Sequence, residues 1–365
     1  MARKIFIAAT GQNSGKTTTS ISLMYLARKK YERVGFIKPL GPKPTMFRGM
    51  DVDKDAALMA QVFGLQRDLR FMSPVVVYPD TTRRFIDGEL SLPDLEERIL
   101  RATTELEKRC DFLIIEGSGH PGVGAVMTLS NARIAHMVGA PVLMVTGGGV
   151  GSVVDNVSMN LALFRQEKAE VRAVLANKLI PEKRDSTVDY LQRAFADEPF
   201  AVLGGFDYQP ILANPTLRRI SQMLDLPLHG NRRDMGRIIH HVQIGAASTQ
   251  RVTELLRPSS LLIVTSSRDE LLVTLANLYQ MPEYRSQIVG LAIPGIIPIS
   301  TITQRILDRS KIPYLRTHSH TTAELHRVIT EDVSKVTNED TEKLGLLRSL
   351  AEKRLDFDAL DRLFA

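Results

Sequence analysis

The chain is predicted to be α/β: a parallel sheet wrapped by helices, followed by a smaller α/β unit and a helical C-terminal segment. Three observations predict it. Strand-like apolar runs alternate with helix-like stretches through roughly residue 205. These runs end in glycine, lysine, glutamate or asparagine, residues able to reach a ligand at the carboxyl edge of a sheet. The first run also feeds a loop, Gly11-Gln12-Asn13-Ser14-Gly15-Lys16-Thr17-Thr18, that opens directly into a helix.

The first strand is read at residues 4–9, and the helix behind the loop carries Ile21, Leu23, Met24 and Leu26. Strand, glycine loop and helix in this order are the context of a phosphate-binding loop. Glycine lets backbone N–H groups turn toward phosphate oxygens, Lys16 neutralises the β and γ phosphates, and the Thr17 hydroxyl sits on Mg²⁺. The usual spacing wants glycine where Thr10 stands, and a loop one residue longer begins at Ala9, so the first glycine is absent on either count. A chance Gly-Lys-Thr in a turn is the alternative.

The second strand, residues 33–38, ends in Lys38-Pro39. A lysine there either stabilises charge on a transferring phosphoryl group or snorkels at the surface. Asp51, Asp53 and Asp55 precede a helix; any of them can cap it, and one can complete a Mg²⁺ shell. The third strand, residues 111–116, ends in Glu116 ahead of Gly117-Ser118-Gly119. That carboxylate binds Mg²⁺ directly or through water, or else caps the next turn. After the fourth strand, residues 141–146, the run Gly147-Gly148-Gly149-Val150-Gly151 offers backbone N–H groups to an anion or serves tight packing. The fifth strand, residues 172–176, leads into Asn177, whose carboxamide suits a purine edge or a turn.

A boundary is placed in residues 204–215, rich in glycine and proline. Beyond it, strands are read at residues 260–265 and 287–292, and helices at 249–256 and 268–279. Leu344, Leu347, Leu350 and Leu355 recur at helical spacing. The resulting division is a nucleotide-binding domain at 1–205, a second domain at 210–325 and a helical tail at 326–365.

Composition bounds the partners. With 365 residues the chain has length for two cores, and 44% apolar and 24% charged residues are ordinary for a globular protein. The net charge of +6 is spread without a block of like charges, and aromatics are sparse, which argues against a nucleic-acid surface. Cys110, the single cysteine, rules out an internal disulfide and any multi-cysteine metal site, and reads as a small core residue. No cleavage pattern or membrane-length apolar run appears, so a cytoplasmic protein without a membrane partner is expected. His318 and His320 fall on one side of an extended segment but lack a third ligand. His240 and His241, beside Arg232, Arg233 and Arg237, form either an anion pocket or a solvated face.

Taken together, Thr10-Gly11-Gln12-Asn13-Ser14-Gly15-Lys16-Thr17, Lys38-Pro39, Lys54-Asp55-Ala56-Ala57-Leu58, Ser73-Pro74, Glu116-Gly117-Ser118-Gly119 and Ala176-Asn177 resemble dethiobiotin synthetase and its relatives. Those are ATP-dependent ligases that include the synthetase domains for cobyrinic acid diamide. The resemblance implies ATP and Mg²⁺ as cofactors, with Gly11, Gln12, Asn13, Ser14, Gly15, Lys16, Thr17 and Thr18 around the phosphates. It implies Thr17, Asp55 and Glu116 as metal ligands, Asn177 at the base, and Lys16 and Lys38 at the phosphates and the carbamate. It further implies a small carboxylate or amine substrate and a homodimer. Three departures stand out. The family's first loop glycine is Ala9; Leu40-Gly41-Pro42-Lys43-Pro44 follows Lys38-Pro39 where the synthetase has a small residue and a serine; and no cysteine is left for a glutaminase.

Residues 211–325 resemble a DRTGG domain through Leu217-Arg218-Arg219-Ile220, Leu256-Arg257-Pro258, Ser267-Arg268-Asp269-Glu270 and Thr321-Thr322-Ala323-Glu324. That family's glycine pair is replaced by Pro294-Gly295-Ile296. The same pair of domains stands at the N-terminus of long phosphate acetyltransferases. Two functions follow as expectations: an ATP-dependent ligase fused to a ligand-sensing module, or a regulatory nucleotide-binding protein.

Overall fold

The computed structural model describes residues 2–332 and 334–365. Two compact units divide the chain, one running from the N-terminus to Tyr208 together with Leu344–Ala365, the other spanning Gln209–Lys343.

In the first unit, six strands form an all-parallel sheet: β1 (Arg3–Ala9), β2 (Val34–Ile37), β3 (Phe112–Glu116), β4 (Val142–Gly147), β5 (Val171–Asn177) and β6 (Ala201–Gly204). Their order is β6-β5-β4-β1-β3-β2. Near-continuous runs of Ile, Val, Leu, Phe and Ala suit strands buried on both faces, and every residue of β3 is buried. β1 lies centrally, with Phe6 in register with Ile115 on one side and Val142 on the other. The chain runs from β1 out to β2, returns to β3 and then crosses to β4 on the other side of β1, the reversal of strand order that places a crevice at the carboxyl ends of β1, β3 and β4.

Helices Leu92–Glu107, Asn131–Met137 and Val150–Gln166 cover one face, packing Ile99, Leu106, Ala135, Val157 and Phe164 with Phe6, Leu113, Ile115 and Met144. The helix Lys16–Lys30 is buried on nearly all sides, its Thr19, Ser20 and Ser22 included. After β2, an antiparallel hairpin of Pro44–Phe47 and Met50–Asp53 leads into the helix Lys54–Phe63. That hairpin carries the acidic cluster back to the sheet's carboxyl edge.

The chain returns to this unit at its C-terminus. Buried Asp207 accepts from Arg184 at 2.8 Å and from Arg354 of the helix Thr341–Arg354 at 2.5 Å. The helix Phe357–Leu363 sets Asp361, 1% exposed, against the Tyr31 hydroxyl at 2.8 Å and Arg3 at 2.8 Å. Arg172 donates to the Leu363 and Ala365 carbonyls, and the Phe357 ring lies 5.8 Å from that of Phe112. The tail expected at 326–365 is thus divided, its part through Lys343 lying in the second unit and the remainder in the first.

The second unit has five strands: β7 (Leu228–His229), β8 (His241–Ile244), β9 (Ser260–Ile263), β10 (Ile288–Pro294) and β11 (Tyr314–Thr317). The order is β7-β11-β10-β9-β8, parallel except for β7 on β11. Val252, Leu271, Leu275 and Leu307 cover one face, and Leu217, Ile220, Leu325 and Ile329 the other. β9 and β10 fall where apolar runs predict them. The short β8, with His241 and Gln243, carries no such run.

His318 and His320 are not on a strand face, because β11 ends at Thr317 and the Thr321–Glu324 capping box starts the next helix. His320 Nδ1 instead lies 3.1 Å from the Thr317 hydroxyl. Among the described residues no helix is long and apolar enough to cross a membrane.

Candidate active site at the carboxyl edge of the first sheet

The loop after β1 takes the shape that its glycines permit. Gly15 has φ 103° and stands as N-cap of the helix Lys16–Lys30. A Cβ there would fall 2.2 Å from Asn177 Nδ2, so only glycine fits. Ser14 donates to the Gly11 carbonyl at 3.0 Å and Thr18 to the Gly15 carbonyl at 2.7 Å, closing the turn with its own side chains. Gln12 and Asn13 are exposed at the tip, Asn13 with φ 57°. Below the loop, the Thr10 and Thr146 hydroxyls meet at 3.0 Å.

Asn177, at the end of β5, holds the loop from beneath. Its Nδ2 donates to the Ser14 carbonyl at 2.9 Å and its Oδ1 accepts from Phe206 N–H at 3.1 Å. One amide hydrogen and one oxygen lone pair remain for another partner.

Three residues predicted from distant segments meet next to this loop. Lys38 Nζ donates to Glu116 Oε1 at 2.9 Å, to Asp55 Oδ2 at 3.0 Å and to the Gly117 carbonyl at 3.1 Å. The lysine is 2% exposed and Glu116 fully buried. Lys38 is therefore not a snorkelling surface residue. Burial disfavours its charge, but Glu116 and Asp55, with Asp53 behind them, more than offset that and hold its pKa above the ordinary lysine range. Thr17 donates to the same Glu116 Oε1 at 3.1 Å, and Ser20 takes Oε2 at 2.6 Å. Lys16 reaches across to donate to the Gly119 carbonyl.

Which of the three acids faces the site depends on where the helix Lys54–Phe63 begins. Asp53 is its N-cap, accepting from Asp55 N–H at 2.8 Å and, with the other oxygen, from Lys43 N–H at 3.0 Å. Its own N–H donates to the Ser73 hydroxyl at 2.9 Å. Burial, and then the Asp55 charge, push the Asp53 carboxyl up to about 6 against the pull of Lys38. Asp55, two residues later in the first turn, is the acid that meets Lys38.

Sequence reasoning passed over Ser20 and Asn131. Asn131, 1% exposed, accepts from Ser118 N–H at 2.9 Å and donates to the Ser118 and His120 carbonyls at 2.6 and 2.7 Å. It thereby fixes the loop whose Gly117 and Gly119 carbonyls receive the two lysines. The Ser118 hydroxyl donates to the Leu40 carbonyl. A signal was present for Asn131, since Ser130 N-caps its helix by accepting from Arg133 N–H at 3.1 Å. In the second unit, Arg237 donates to the carbonyls of Arg285, Ser286 and Ile288, so it caps a helix end rather than facing an anion.

The donor set suits a hard divalent cation. Asp55 and Glu116 are buried carboxylates already balanced by a cationic group, and Thr17 adds a hydroxyl beside them. Among the described residues no cluster of three His, Cys, Asp or Glu side chains is arranged to hold a metal. Two acids and a hydroxyl match Mg²⁺, which keeps waters and takes phosphate oxygens for its remaining positions.

Residues 3–216 match the family model described as an AAA domain. Phosphate acetyltransferase of Synechocystis is 22% identical over 338 residues, covering 88% of this chain and 46% of that protein. ATP-dependent dethiobiotin synthetase of Methanocaldococcus jannaschii is 25% identical over 177 residues, 47% of this chain and 78% of that protein. Cobyric acid synthase of Jannaschia is 28% identical over 203 residues, 49% of this chain and 41% of that protein. The chain spans about half the length, or less, of the phosphate acetyltransferases it matches.

Proposed function

The chain belongs to the AAA domain family through residues 3–216, and from that premise we propose that its first unit binds ATP with Mg²⁺ and activates a small carboxylate or carbamate by phosphoryl transfer. The observation that carries this reading is the convergence of Lys16, Thr17, Lys38, Asp55 and Glu116 at one sheet edge, with two cationic and two anionic side chains around the loop. Phosphoryl transfer asks the protein mainly for positioning and for charge placed against the equatorial oxygens, and this set supplies both.

The loop Gly11–Thr18 presents backbone N–H groups to the phosphates, and Lys16 exchanges the Gly119 carbonyl for the β and γ oxygens. Thr17, Asp55 and Glu116 hold the metal, which when bound offsets negative charge on those oxygens. Lys38 stabilises the charge that develops on the transferring group. Asn177 uses its free amide hydrogen and lone pair on the base while keeping the loop in place. The second unit acts as a DRTGG-type ligand-sensing module, and the protein works as a homodimer.

A second reading, a regulatory nucleotide-binding protein, draws support from the Synechocystis phosphate acetyltransferase, because that similarity covers 88% of this chain. The two readings separate by experiment. ATP binding by calorimetry with Mg²⁺, and phosphate release with a panel of small carboxylates and diamines, are measured for the wild type, Lys16→Ala and Lys38→Ala. Lys16→Ala is expected to abolish binding. Lys38→Ala is expected to bind nucleotide and to lose turnover; turnover unchanged in that variant would sink the phosphoryl-transfer reading.

A further inference from the structure

We propose that Lys38 is a resident counter-ion of the metal site, which an incoming divalent cation expels from between Asp55 and Glu116. The proposal rests on the metal-site reading above. Its starting point is a single atom: Glu116 Oε1 accepts from Lys38 Nζ at 2.9 Å and from the Thr17 hydroxyl at 3.1 Å, while Oε2 is taken by Ser20. The only oxygen of Glu116 that faces Thr17 is therefore the one on which the ammonium sits. Asp55 Oδ2, 3.0 Å from the same nitrogen, is bound in the same way.

Two carboxylates this deeply buried do not both stay ionised without a cation, and the chain supplies one just past its own β2 end. A dication seated on Oε1 and Oδ2 takes over that charge balance and repels the ammonium at short range in a poorly screened site. Lys38 then leaves the acids for the transferring group, the role given to it above. Metal loading and delivery of Lys38 thus become one exchange, and nucleotide-free protein binds metal weakly because it carries its competitor.

The test uses Mn²⁺ and nucleotide-free protein, read by electron paramagnetic resonance of free Mn²⁺, for the wild type, Lys38→Met and Lys38→Arg. Lys38→Met keeps the side-chain length and removes the charge; its Mn²⁺ Kd is expected to fall at least tenfold, about 1.4 kcal/mol, with Lys38→Arg near the wild type. An unchanged or higher Kd in Lys38→Met overturns the exchange. Should Lys38→Met fail to fold, wild-type crystals grown with Mn²⁺ and ADP decide: Nζ beyond 4 Å from Glu116 supports the proposal, and Nζ retained on Oε1 with Mn²⁺ in place overturns it. Absence of Mn²⁺ binding by the wild type and by Lys38→Met even with ADP removes the metal site itself, and the exchange with it.

Discussion

The Ser20 hydroxyl donates to Glu116 Oε2 at 2.6 Å, with both side chains fully buried. Thr17 and Ser20 are three residues apart on one helix and so meet a single carboxylate from adjacent turns. The helix that begins at the phosphate loop therefore also fixes which oxygen of Glu116 is left for a cation. Ser20→Ala is expected to orphan a buried charged acceptor and to cost about 1–3 kcal/mol. Urea unfolding checks it, and an unchanged midpoint at unchanged slope counts against this role.

Gly15→Ala is expected to abolish ATP binding and lower stability. The residue has φ 103°, and its new Cβ would lie 2.2 Å from Asn177 Nδ2. The left-handed backbone alone costs about 1–2 kcal/mol, and the clash adds to it. Combining Gly15→Ala with Asn177→Ala should recover part of the stability and none of the binding. Thermal unfolding with and without ATP separates the two contributions, and a double variant as unstable as the sum of the singles refutes the clash.

Asp361 ties the C-terminal helix to the first unit. Burial opposes its ionisation, but hydrogen bonds from Arg3, Tyr31 and Lys30 more than compensate and hold its carboxyl below the usual aspartate range. A carboxyl with a depressed folded-state pKa contributes stability that is complete above its unfolded value of about 4 and lost as pH falls through the folded value. Asp361→Asn is expected to lose about 1.5–3 kcal/mol at pH 7 and to flatten the acid limb of the stability curve below about pH 4. An acid limb identical to that of the wild type would exclude Asp361 from it.

Cys110 is expected to resist thiol reagents in the folded protein. It is 6% exposed, and burial foremost pushes its thiol up to about 12. Ellman's reagent at pH 8 should leave it unmodified until denaturant is added. Because the folded thiol keeps its proton where the unfolded one loses it, stability should decline as pH rises from about 9 toward the folded value. Rapid stoichiometric labelling of native protein would contradict the burial.

The site's main residues were legible because each closes a recognisable local pattern. Lys16 and Thr17 open the helix that follows a strand and glycine loop, and Glu116 and Lys38 close apolar runs that read as strands and fold as buried ones. Spacing could not decide among Asp51, Asp53 and Asp55, since the choice depends on the residue at which the helix starts. Ser20 carried no pattern of its own, and the cap at Ser130 marked the start of a helix without marking Asn131; both matter through partners 96 and 13 positions away. The leucines from Leu344 onward announced a helix but not the sheet it belongs to. That assignment is made by Asp207 and Asp361, isolated acids whose arginine partners no periodicity reveals.

The return of Leu344–Ala365 to the first unit bears on the order of events at the ribosome. Everything needed for the nucleotide crevice has been made once Tyr208 emerges, yet Arg3 waits for Asp361, 358 positions later. Throughout that interval the surface that Phe357 will cover, around Phe112, stays uncovered. The second unit, whose residues all lie between Gln209 and Lys343, has been made in full before Phe357 emerges. A nascent chain arrested before Phe357 would thus hold a finished insert inside an unfinished host, and an early stop codon there would act on solubility before it acted on chemistry.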